Sequence, residues 1–116
     1  MDFRKMPVLM KEQKENGKKD QYIEITKVLT EATDRVQARK EKLELLEALI
    51  GTLENMDFQI YELYRALADC FKKVLKELLT EYSSLEAAEK QTVSEAVKRA
   101  CAIRILLEEK YEAYIL

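Results

Sequence analysis

A chain of 116 residues, 47% apolar and 36% charged, has the size and balance to bury one core, which excludes wholesale disorder. Two Gly, one Pro and no His exclude turn-rich β architectures, glycine-rich phosphate loops and every catalytic or metal arrangement that needs imidazole. A net charge of −2, from 20 basic and 22 acidic residues, gives no general attraction for nucleic acid or an anionic membrane.

Residues 1–19 stand apart as an N-terminal arm that is expected to be flexible. Phe3, Met6, Val8, Leu9 and Met10 cluster around Pro7, and a polar stretch with an Asn16-Gly17 breaker follows. Six basic residues against four acidic ones in 1–20 give this segment a charge of +2, against −4 for the remainder. It reads as a terminus packed loosely on the domain or as a short linear motif that orders on a partner through Phe3, Val8, Leu9 and Met10. The apolar run from Met6 to Met10 is shorter than the core of a secretory signal.

Residues 20–116 read as one helical domain. Asp20 is a candidate N-cap for a first helix over 20–54. Its stripe of Tyr22, Ile25, Leu29, Ala32, Val36, Arg39, Leu43, Leu46, Ile50 and Leu53 alternates steps of three and four, the spacing of supercoiled helices. Thr26, Thr30 and Thr33 thin the seam in its first half, whereas Leu45 and Leu49 widen it in the second.

Gly51, Asn55 and Asp57 are poor helix-interior residues and predict a turn near 54–57. The heptad register nevertheless continues across the gap, so a single helix over 20–82 is the alternative. A reversal near residue 55 sets Leu53 against Phe58, Ile50 against Ile60, Leu46 against Tyr64 and Arg39 against Phe71. A second helix over 57–82 carries the seam Ile60, Tyr64, Leu67, Phe71, Val74 and Leu78, with a flanking column of Tyr61, Ala68, Leu75, Leu79 and Tyr82. That width calls for packing on two sides.

Ser83 with Glu86 fits a capping box that opens a third helix over 84–115. A reversal at 83 places Ala88 against Leu78, Ala96 against Phe71 and Ala100 against Leu67, small residues facing large ones. The expected fold is therefore all-α: a three-helix antiparallel bundle with coiled-coil-like packing. The third helix would overhang the first turn and expose Tyr111, Tyr114, Ile115 and Leu116 at a tip.

No reactive constellation emerges. Without His there is no Ser-His or Cys-His pair and no E-x-x-H ligand set, and two Cys do not make a zinc site. The sequence therefore names no catalytic, metal or cofactor-binding residue. Cys70 and Cys101 lie in helical apolar patterns and read as buried thiols of a reducing compartment, which gives a cytoplasmic expectation. No stretch approaches the ~20 apolar residues of a membrane span. Arg35, Arg39 and Lys42 share a face at i, i+4 and i+7, mixed with Asp34, Glu41 and Glu44.

By elimination the chain reads as a non-enzymatic protein-protein interaction module: an adaptor, a complex subunit or a small chaperone. Its expected contacts are Phe3, Val8, Leu9 and Met10 in the arm and Tyr111, Tyr114, Ile115 and Leu116 at the tip, with a helical protein partner. A structural coiled-coil homo-oligomer built on a 20–82 helix is the first alternative. A nucleic-acid-associated regulator using the arm and the Arg35 face is the second.

Overall fold

The computed structural model describes residues 2–16 and 21–112. They form five α-helices: α1 (Met6–Glu15), α2 (Tyr22–Arg35), α3 (Arg39–Asn55), α4 (Tyr61–Thr80) and α5 (Ala87–Tyr111). Short 3-10 turns at Phe3–Lys5 and Tyr82–Ser84 precede α1 and α5, and no strand occurs among the described residues. The all-α class expected from the periodicity is observed; the three-helix division is not.

The centre of the molecule is α3. Leu43, Leu45, Leu46, Ala48, Leu49, Ile50, Gly51, Thr52 and Leu53 are all buried, so over this stretch α3 is covered on most sides and keeps one polar strip at half-buried Glu44 and exposed Glu47. Such a helix needs several neighbours. Here α1, α4 and α5 surround it, while α2 packs chiefly on α4. Arg4 pairs with Glu44, and Pro7 lies against Gly51, so α1 runs in the same direction as α3. The reversal through residues 56–60 makes α4 antiparallel to α3, and Lys42 reaches Glu77 at 3.5 Å.

The arm is helical where it is described. Pro7, near the helix start, has no N–H to leave unpaired and fixes a helical φ. Met6 and Met10 are then aligned on one face, and both are 0% exposed. Phe3 is buried beside them, so residues 3–10 contribute to the core.

The predicted first helix is two helices. Val36 and Ala38 take extended backbone, with ψ of 128° and 138°, although neither Gly nor Pro lies nearby. The break shortens the molecule. An unbroken helix over 22–55 would be ~50 Å long, against a longest molecular axis of 42 Å. Interrupting it folds Tyr22, Ile25, Leu29 and Ala32 into the core. Local chemistry assists, because Thr26, Thr30 and Thr33 each donate to the carbonyl four residues earlier at 2.8 Å, which satisfies the hydroxyls but weakens helix continuity.

The turn after α3 lies a few residues later than predicted. Gly51 and Asn55 remain helical, and Asp57 accepts a 2.9 Å hydrogen bond from the Gln59 N–H within the turn. The single 20–82 helix is therefore not formed. The later turn also shifts the register between α3 and α4. Arg39 does not lie over Phe71; it reaches Glu81 at 3.4 Å, the Ser84 carbonyl at 3.2 Å and Glu89 at 3.8 Å.

The capping box of α5 is formed by Glu86 and Glu89, three residues beyond the predicted Ser83 and Glu86 pair. Ser83 and Ser84 are instead used in the 3-10 turn. The largest departure concerns the placement of α5. It packs on α3, in the same direction, and meets α4 closely at few positions. Arg99 pairs with Glu54 of α3, fastening the middle of α5 to the end of α3. The predicted close hairpin between the last two helices is thereby opened into a groove.

Candidate functional site

The groove separates the outward faces of α4 and α5. Phe71 and Leu75 line one wall, Val97, Ala100 and Cys101 the other, and Lys72 and Arg104 stand at the rim. Its cavity volume is about 160 Å³. Phe71 is buried at the floor, whereas Leu75, Val97 and Ala100 are half-buried. The apolar stripe continues one helical turn along α4 to Leu79, which is 49% exposed. Tyr82 follows it, and the Lys90 ammonium lies 5.3 Å from its ring centroid.

This face exists because α5 has two apolar sides. Val93, Ala96, Ile103 and Leu107 turn inward to α3. Val97 and Cys101 point to the groove, and Ile105 and Leu106 are more than half exposed. Apolar residues spread around the helix leave some uncovered when a single neighbour is engaged. Cys101 is exposed and Cys70 half-buried, and both are free thiols. The reading of both as buried fails because the α4-facing side of α5 is open.

A second concavity, of about 350 Å³, lies at the end of the molecule where α3 turns into α4. Leu53, Met56, Phe58, Tyr64, Leu107 and Tyr111 line it. Phe58 anchors an aromatic cluster: its ring centroid lies 5.8 Å from Tyr61, 5.3 Å from Tyr64 and 4.6 Å from Tyr111. Burial pushes the Tyr64 hydroxyl up to about 12, so it stays protonated at neutral pH. Lys14, Glu54, Asp57 and Lys110 add charged groups to the same lining.

The residues expected to meet a partner are scattered. Phe3 and Met10 are buried, Leu9 is half-buried, and Val8 is 60% exposed on the outside of α1. Tyr111 sits at the mouth of the terminal cavity, stacked on Phe58. Tyr114, Ile115 and Leu116 lie outside the described residues. The basic face also dissolves: the break at 36–38 separates Arg35 from Arg39, and Arg39 and Lys42 bind Glu81, Glu89 and Glu77.

Of the groove residues, Leu75 was visible in the sequence as part of the flanking column of α4, together with Leu79 and Tyr82 beyond it, while Phe71 was read as seam and Val97 and Ala100 as the inner face of the last helix. What could not be read was that the column stays uncovered, because that depends on which neighbour α5 chooses. Among the described residues, no three Cys, Asp or Glu side chains gather to hold a metal ion, and no helix is long and apolar enough to cross a membrane.

No protein-family model, curated protein or solved structure matches this chain.

Proposed function

We propose that this chain is a non-enzymatic protein-interaction module that seats a partner helix between α4 and α5. The observation that carries this reading is the apolar groove itself. Two helices held apart by their common attachment to α3 leave a trough bordered by Phe71, Leu75, Val97 and Cys101. A third helix laid in such a trough completes a bundle, the helix-in-groove mode of recognition. Adaptor, complex-subunit and small-chaperone roles all use this act. The rod-like oligomer loses its physical basis with the division of residues 20–82 into three helices.

A dye attached to Cys101 in a Cys70→Ser background reports on the groove directly. Binding of an amphipathic helical peptide should shift its emission to the blue and raise its anisotropy. Leu75→Asp should abolish both changes while leaving the helical circular dichroism intact. Truncation after Lys110 tests the tip as the competing location. Loss of binding there, with unchanged melting and an unresponsive dye, would move the docking site to Tyr111 and the residues that follow.

A further inference from the structure

Resting on that reading, we infer that the occupant of the groove is an acidic amphipathic helix, an apolar stripe flanked by Asp and Glu. The chain as a whole is slightly acidic, at −2, yet the groove is bordered by cations. On α4, Arg65, Lys72 and Lys76 follow one another at i, i+7 and i+11 along the edge beside Leu75 and Leu79, with Asp69 at i+4 the one carboxylate among them. On α5, Lys90 and Arg104 fall at i and i+14 on the face that presents Val97 and Cys101. Glu108 is the one carboxylate at that spacing within α5, and Arg104 takes it up at 3.6 Å.

Arg65, Lys72 and Lys76 are exposed and make no ion pair among the described residues. Their neighbours differ: Lys73 pairs with Asp34, and Lys42 on α3 with Glu77. Within α4, the cation turned toward α2 is thus neutralised by a partner in the chain, whereas the three along the groove edge keep their charge for solvent or a ligand. A net excess of cations beside an apolar trough favours a ligand that brings the opposite sign, since complementary potentials steer encounter and penalise wrong partners.

The same charges decide against a second copy. Two copies joined groove to groove form an isologous contact, in which each patch faces itself. Arg65, Lys72 and Lys76 would then be crowded against the opposing cations. An anionic lipid surface supplies the sign but not the shape: a bilayer accepts a convex apolar ridge, whereas Phe71 lies at the bottom of a trough between two helices.

The test uses the full chain and two labelled peptides of ~20 residues, long enough to form a helix when docked. Both carry Leu at i, i+3, i+4 and i+7, and they differ only in having Glu or Lys at the flanking positions. Fluorescence anisotropy should give the Glu peptide an affinity about tenfold or more above the Lys peptide, falling as salt is raised from about 50 to about 300 mM. The double variant Lys72→Glu, Lys76→Glu should lose about tenfold for the Glu peptide and gain for the Lys peptide, with unchanged melting. Equal affinity for both peptides would overturn the acidic preference and leave the groove reading standing. Binding of neither would overturn both. A dimer in light scattering that Leu75→Asp dissociates would assign the groove to a second copy. Cosedimentation with phosphatidylserine vesicles, together with failure to bind either peptide, would assign it to a membrane surface.

Discussion

Pro7 of α1 stands against Gly51 of α3, with a Cβ at position 51 falling 3.1 Å from both Pro7 Cβ and Pro7 Cγ. The glycine is inside a helix, where alanine is better by about 1 kcal/mol on propensity alone. Against that gain, the pyrrolidine ring is rigid, and α1 is pinned by buried Met6 and Met10, so the ring has no free path of retreat. We expect Gly51→Ala to destabilise by about 1 kcal/mol net and Gly51→Leu by about 3 kcal/mol, the usual range for overpacking. Urea denaturation measures both. In a Pro7→Gly background the effect of Gly51→Ala should reverse sign; an unchanged sign would show that the ring is not the obstacle.

The buried face of α1 gives a second expectation. Met10→Ala should cost about 2–5 kcal/mol, as for other fully buried methionines, while Val8→Ala on the exposed face should stay within about 0.5 kcal/mol. Thermal melts of the two variants suffice. Equal and negligible effects would return residues 3–10 to the status of a loose arm.

Arg39 joins the start of α3, the end of α4 and the entry to α5 through Glu81, the Ser84 carbonyl and Glu89. It is partly exposed, so each contact is worth little singly, and the network is expected to contribute about 1 kcal/mol. Arg39→Ala should lower stability by that amount and speed hydrogen exchange at residues 82–90 more than elsewhere. Arg39→Lys should recover only part of the loss, because an ammonium lacks the fork that serves several acceptors at once. Uniform exchange changes would deny the residue its local role.

Tyr64 sets an alkaline limit. It is 2% exposed, and burial raises its hydroxyl from 10.0 to about 12. The folded state therefore favours the neutral phenol more than the unfolded state does. This contribution is complete below about pH 10 and is lost as pH rises through 12, amounting at full loss to about 2–3 kcal/mol. Stability measured from pH 9 to pH 12 should fall more steeply in the native chain than in Tyr64→Phe. Parallel curves would place the alkaline transition on other groups.

The sequence by itself determined the helical class and most of the core. Leu43, Leu46, Ile50, Leu53, Tyr64, Leu67, Phe71, Val74 and Leu78 were legible from a three-four spacing, and all are buried. Periodicity suffices here because a helix turns its side chains at a fixed angle, so the stripe that must leave water is written locally. The absence of His was equally decisive against imidazole chemistry.

What only the tertiary structure decided was which stripe meets which. The heptad runs through Val36 without a slip, yet the chain breaks there, and the break lets Tyr22, Ile25, Leu29 and Ala32 fold into the core. Gly51 read as a sign of a turn; its missing Cβ is used instead to bring α1 close. The small residues Ala96 and Ala100 suit a close neighbour without naming one, and α5 takes α3 in place of α4. The groove follows from that choice. Burial is non-directional, so a sequence states how much apolar surface must be covered, while the geometry of all five helices together decides which part is left bare.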